Sequence, residues 1–155
     1  EFYVKNGKKI TKESITKLTN LIENHSISEL VDSCLAKNKR KTINILVENN
    51  FSNEDCVLIT RIFLTKLKKI LKLSTEYEKN KNLDLTINSS KPPIFWKEKE
   101  ITKKQIFSWS LIDIKKLIYS LNKLEVEVKK NLDASIYLIT DFIVYQASLK
   151  SNNST

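Results

Sequence analysis

The sequence predicts an all-α protein, an irregular bundle of about six or seven helices. Two observations carry this. The 155 residues hold one glycine, Gly7, and two prolines, Pro92 and Pro93, whereas a sheet protein needs turn residues at each chain reversal. Apolar residues also recur at the helical period in one segment after another. At 41% apolar and 29% charged, the chain can build one core and does not have a disordered composition. No constant-period repeat is present, which excludes a solenoid.

Each element has its own signal. Thr11 caps a first helix, with Ile10 set to pack on Ile15 as a staple. Ile15, Leu18 and Ile22 line one of its faces. Ser26-Ile27-Ser28-Glu29 has the spacing of a capping box and predicts a second start. Ile27, Leu30, Val31, Cys34 and Leu35 then form a stripe that ends near Asn38. A short helix carries Ile43, Leu46 and Val47 after the basic run Lys37 to Lys41, and Asn49-Asn50 breaks it.

Ser52-Asn53-Glu54-Asp55 resembles another capping box, and a long helix follows to about Tyr77. Its first half is apolar nearly all round, so it is expected at the centre of the bundle, with Val57, Ile59, Ile62, Phe63 and Leu67 among the most buried residues. Its polar residues share one narrow face, where Arg61, Lys68, Lys69 and Lys72 form a candidate basic surface with Thr65.

Leu83, Leu85 and Ile87 alternate with polar residues as in a strand, but no partner strand exists, so 78–90 reads as loop or short helix. Pro92-Pro93 suits the first turn of a new helical segment. Thr102 is placed to cap a short helix with Ile106, Phe107 and Trp109. Ser110 opens a cleaner one, with a core face of Leu111, Ile114, Leu117, Ile118, Leu121, Leu124 and Val128. Asn131-Leu132-Asp133 breaks the chain before a last helix from about Ala134 to Leu149. That helix is apolar on three sides. One bundle covers two, so a third side is expected to be uncovered or to meet a partner. The side of Tyr137, Val144 and Ser148 is the least apolar and is the candidate subunit interface. Residues 151–155 read as a polar, flexible tail.

Several function classes are excluded. A phosphate-binding loop, a dinucleotide turn and a nucleophile elbow each need several glycines. Cys34, Cys56 and His25 are too few for a four-ligand zinc site, and the two cysteines read as buried free thiols of a reducing cytosol. His25 has no nucleophile or orienting carboxylate spaced near it, so it reads as a solvated loop imidazole rather than a general base. Glu54-Asp55 fits a helix start, and Glu125 and Glu127 lie on different faces. Trp96 and Trp109 read as core aromatics, with base stacking as the alternative. No catalytic, cofactor or metal site is expected. The Lys+Arg total of 27 against 18 Asp+Glu gives a net charge of +9, which admits nucleic acid as a partner. No apolar run is long enough to span a membrane.

The order of segments resembles the C-terminal part of the delta subunit of the bacterial DNA polymerase III clamp loader. Gly7-Lys8-Lys9-Ile10-Thr11 is similar to the segment closing that family's second domain. Ser26 to Asp32, and Lys37 to Leu46, resemble its next helix and its basic linker running into a further helix. Val57 to Leu67 is similar to its leucine-rich central helix, with Arg61 at a basic position. Pro92-Pro93-Ile94-Phe95-Trp96-Lys97, Gln105, Trp109-Ser110 and the helix with Glu125 and Lys129 complete the match. Asn49-Asn50-Phe51 departs from it where a glycine is usual, and Thr42 replaces an alanine. The resemblance implies that 1–24 is the end of a lid domain and 25–150 a helical collar domain. It implies a non-catalytic module, without cofactor, that locks delta into a ring with gamma/tau-type and delta-prime-type subunits. The sliding clamp would be engaged through an N-terminal domain outside this chain, and primed DNA through the assembled complex, in the bacterial cytoplasm at the nucleoid.

Overall fold

The computed structural model describes residues 11–150. They form seven α-helices: α1 Lys12–Leu35, α2 Lys39–Asn49, α3 Cys56–Asn80, α4 Leu83–Asn88, α5 Lys99–Ser108, α6 Leu111–Lys130 and α7 Ser135–Ser148. Single 3-10 turns at Asn53–Asp55, Trp96–Glu98 and Leu132–Ala134 lead into α3, α5 and α7. No strand occurs among the described residues. The all-α architecture therefore stands.

The Thr11 hydroxyl accepts from the Ser14 amide at 3.2 Å and starts α1. Ile10 and its staple lie outside the described residues, and so does the 151–155 tail. The expected break before Ser26 does not occur. α1 is one helix of 24 residues, about 36 Å long, and the proposed 24/25 domain boundary falls inside it. Ser-x-x-Glu caps only where the backbone leaves the helix. Here the preceding turns supply carbonyls to the Ser26 region, so nothing needs capping. His25 consequently sits in mid-helix, exposed, and not in a linker. The helix ends at Leu35, and Lys37, two residues on, takes the left-handed region with φ 54°. Asn38 does not end α1 but caps α2, its side-chain oxygen accepting from the Lys41 amide at 3.1 Å.

The Ser52 start behaves as expected. Its amide and hydroxyl both donate to the Asp55 carboxylate, at 2.7 and 3.0 Å. α3 then packs against α1, α4, α5, α6 and α7, the central position expected of it. Ile59, Phe63, Leu67 and Ile70 are buried. Val57 and Ile62, expected to be equally buried, are only half-covered. Phe63 meets the edge of Phe142 with ring centroids 6.0 Å apart. The main core joins the C-terminal half of α1 to α3, α6 and α7. A smaller cluster of Leu73, Ile87, Ile94 and Ile106 ties α4 and α5 to the end of α3. Each large side chain buried in this way stabilises the fold by about 1.5–3 kcal/mol.

The 83–88 segment is the short helix rather than the loop. Asn82 caps it, its side chain accepting from Leu85 at 2.9 Å, and the alternating pattern resolves into buried Ile87 and exposed Leu85. Pro92 and Pro93 do not sit in a helical first turn. The Lys91–Pro92 bond is cis, and the helical turn begins only at Trp96. Thr102 is not a cap. It lies inside α5, and its hydroxyl donates to the Glu98 carbonyl at 2.8 Å. α6 begins as expected, with the Ser110 hydroxyl accepting from the Asp113 amide at 3.1 Å. Ile114, Leu117, Leu121 and Val128 form its fully buried face.

Candidate protein and nucleic-acid contact surfaces

The position of α7 is set from 80 residues upstream. Asn53, in the turn before α3, accepts the Ile136 amide at 2.9 Å and the Ser135 hydroxyl at 3.1 Å on its side-chain oxygen. Its amide nitrogen donates to the Asp133 carbonyl at 3.3 Å. This long-range cap replaces the local one that α7 lacks. Ile139, Ile143 and Ala147, at i, i+4 and i+8, then turn into the core. The Cys34 thiol reaches the Ile143 carbonyl at 3.4 Å. Burial pushes that thiol up to about 12, so it stays protonated and acts as a small apolar group. Cys56 is also free and buried, and burial raises its thiol too.

The outer arc of α7 is uncovered. Tyr137 is 76% exposed, Ser148 is exposed and Val144 is half-buried. The arc is wider than the sequence implied. Leu138 and Tyr145, outside the expected side of Tyr137, Val144 and Ser148, are exposed as well, Tyr145 at 61%. Tyr137, Asp141, Tyr145 and Ser148 follow i, i+4, i+8 and i+11, a single helical stripe. The charge at Asp141 was the signal for that stripe. It marks a solvent-facing row through which two tyrosines run.

Arg61, Lys68, Lys69 and Lys72 are all exposed on α3. Lys69 pairs with Glu98 at 3.5 Å, and the Lys72 ammonium donates to the Lys91 carbonyl at 3.2 Å. These two contacts bind the segment between α4 and α5 to the basic face. On that segment Phe95 and Trp96 stand 56% and 69% exposed, with centroids 5.8 Å apart. The Lys97 ammonium lies 5.3 Å from the Trp96 ring centroid. Trp96 is therefore a surface residue, contrary to the core reading. Trp109 does lie in the core. Its indole N–H donates to the Leu35 carbonyl at 2.7 Å, and Lys37 stacks on its ring at 4.2 Å. Burial holds the Lys37 ammonium below its ordinary value, partly offset by Asp113.

The carboxylates around His25 are occupied by lysines. Asp32 pairs with Lys66 at 2.7 Å and accepts from Gln105 at 3.0 Å, and Glu29 pairs with Lys41 at 2.8 Å. Glu125 holds Lys129 at 2.8 Å, and Asp55 serves the Ser52 turn. Among the described residues, no three acidic, histidine or cysteine side chains gather as a metal site, and no helix is long and apolar enough to cross a membrane. No family model, no curated protein and no solved structure matches the chain.

Proposed function

We propose that this chain is a non-catalytic assembly module that docks on a neighbouring protein through the outer arc of α7. The observation that carries the reading is the Tyr137–Tyr145 stripe, two large rings left in water on a helix whose other side is core. Tyrosine gives a large apolar area at little entropic cost and keeps its hydroxyl hydrated, the balance favoured at protein interfaces. The resemblance to clamp-loader delta subunits names the neighbour: another collar subunit of the ring that places the sliding clamp on primed DNA. The test is copurification of the full-length protein with clamp-loader subunits. Tyr137→Asp is expected to leave the melting temperature unchanged and to release the protein from the complex. Val144→Asp is a harsher probe, because Val144 is half-buried. Failure of the wild-type protein to copurify would overturn the reading.

A second reading, a basic helical nucleic-acid-binding domain, is favoured by a different observation. Exposed Phe95 and Trp96 lie next to the lysines of α3, a pairing of stacking rings with cations that suits single strands. Titration with an oligonucleotide is then expected to quench Trp96 and to weaken steeply with salt. Trp96→Ala should abolish the signal. Binding that ignores salt would exclude this reading.

A further inference from the structure

Between the C-terminal third of α3 and the α5–α6 corner lies a cleft of about 560 Å³. Ile106 and Trp109 form part of its buried wall, Tyr77 and Phe107 meet edge to face at 5.8 Å beside it, and Ile112 stands on its rim, 66% exposed. Glu78 and Lys81 line it too and pair with each other, so their charges cancel. Ser74, 4% exposed, belongs to the same lining, and its hydroxyl is the one buried side-chain polar atom without a hydrogen-bond partner among the described residues. Its neighbours do not share this condition. Thr65 and Thr75 on the same helix each donate to the carbonyl four residues back, at 2.9 and 2.7 Å.

A sealed hydroxyl with no partner is costly and stands out in a folded protein. Ser110 lines the cleft as well, but its hydroxyl is taken up by Asp113. Ser74 is thus the unpartnered group among aromatic edges and apolar walls, an arrangement that suits a flat ring with one hydrogen-bonding substituent. The cancelled rim charges leave no preference for an ion. The volume lies within the range of small-molecule sites.

We propose that this cleft binds a small uncharged aromatic molecule of the phenol type, its ring against Tyr77, Phe107 and Trp109 and its hydroxyl on Ser74. Contact with Ser74 requires the side chains over it to part on binding. The site is separate from the α7 arc and the α3 basic face, so it stands whether or not those assignments hold.

Phenol and toluene, which share a shape and differ in the hydroxyl, are titrated into the whole chain while backbone amide shifts are followed by NMR. Phenol is expected to saturate shifts at Ser74, Tyr77, Phe107 and Ile112 with a Kd on the order of 1 mM, ordinary for so few atoms. Ser74→Ala is expected to weaken phenol by roughly 2- to 10-fold, the worth of one net hydrogen bond, and to leave toluene unchanged. The variant removes only an unpartnered atom, so it keeps the fold. Phe107→Ala should weaken both ligands. Shifts that do not saturate, that saturate elsewhere, or a Ser74→Ala effect equal for phenol and toluene would each overturn the proposal.

Discussion

The two halves of α1 carry similar apolar spacing and end in opposite environments. In the C-terminal half, Ile27, Leu30, Val31, Cys34 and Leu35 are completely buried, where α1 packs against α2, α3 and α7. In the N-terminal half, Ile15, Leu18, Leu21 and Ile22 are 53–67% exposed, and every residue from Lys12 to Asn24 lies open to solvent. Periodicity fixes which residues share a face of a helix. Whether anything covers that face depends on the length of the neighbouring elements. No residue of the first half is buried, so that half runs on without a packed neighbour. An apolar stripe on an uncovered helix is the signature of a contact surface, and α1 shares this property with α7.

The comparison is broken most directly from the packed side. Phe63→Ala, in the α3 face that meets the covered half, is expected to cost about 3–5 kcal/mol, and Leu30→Ala about 2–5 kcal/mol, by urea denaturation. A cost below about 1 kcal/mol for either would make this core peripheral. Trp109→Phe strips the Leu35 carbonyl of its indole partner and should cost about 1–3 kcal/mol. The Cys34 thiol sharpens the contrast through pH. Its folded value is raised to about 12 from 9.0, so the unfolded chain loses its proton first. Stability should therefore be intact below about pH 9 and fall above it by up to 1.36 kcal/mol per pH unit. Cys34→Ala should flatten that slope. At the other extreme, Leu18→Ala in the open half should change stability by no more than about 0.5 kcal/mol. A cost equal to that of Leu30→Ala would show the arm to be packed.

The sequence revealed most about elements whose ends are chemically marked. Ser110 with Asp113, and Ser52 with Asp55, open α6 and α3 where their hydroxyls and carboxylates are needed. The same chemistry misled at Ser26, where α1 simply continues, and at Thr102, whose hydroxyl finds the carbonyl four residues back and needs no terminus. The two tryptophans mark a second limit. Trp96 and Trp109 each follow an Ile-Phe pair in the chain, yet one lies on the surface and the other under α1. What separates them is the reach of α1 to residue 35, a tertiary fact. The basic face of α3 was legible because cations leave the core on their own account. Its aromatic neighbours and the Ser74 cleft were not, since both arise where segments far apart in sequence meet. Asn53, which caps α7 across the fold, was unreadable for the same reason.

Amide hydrogen exchange along α1 tests the division of this helix most directly. The amides of residues 30–35 should exchange only through global unfolding, with protection equal to the full stability of the bundle. Those of residues 16–24 should exchange orders of magnitude faster, through local opening of a helix with no packed face. Uniform protection along all of α1 would contradict the account, because it would mean that the first half is covered within the chain.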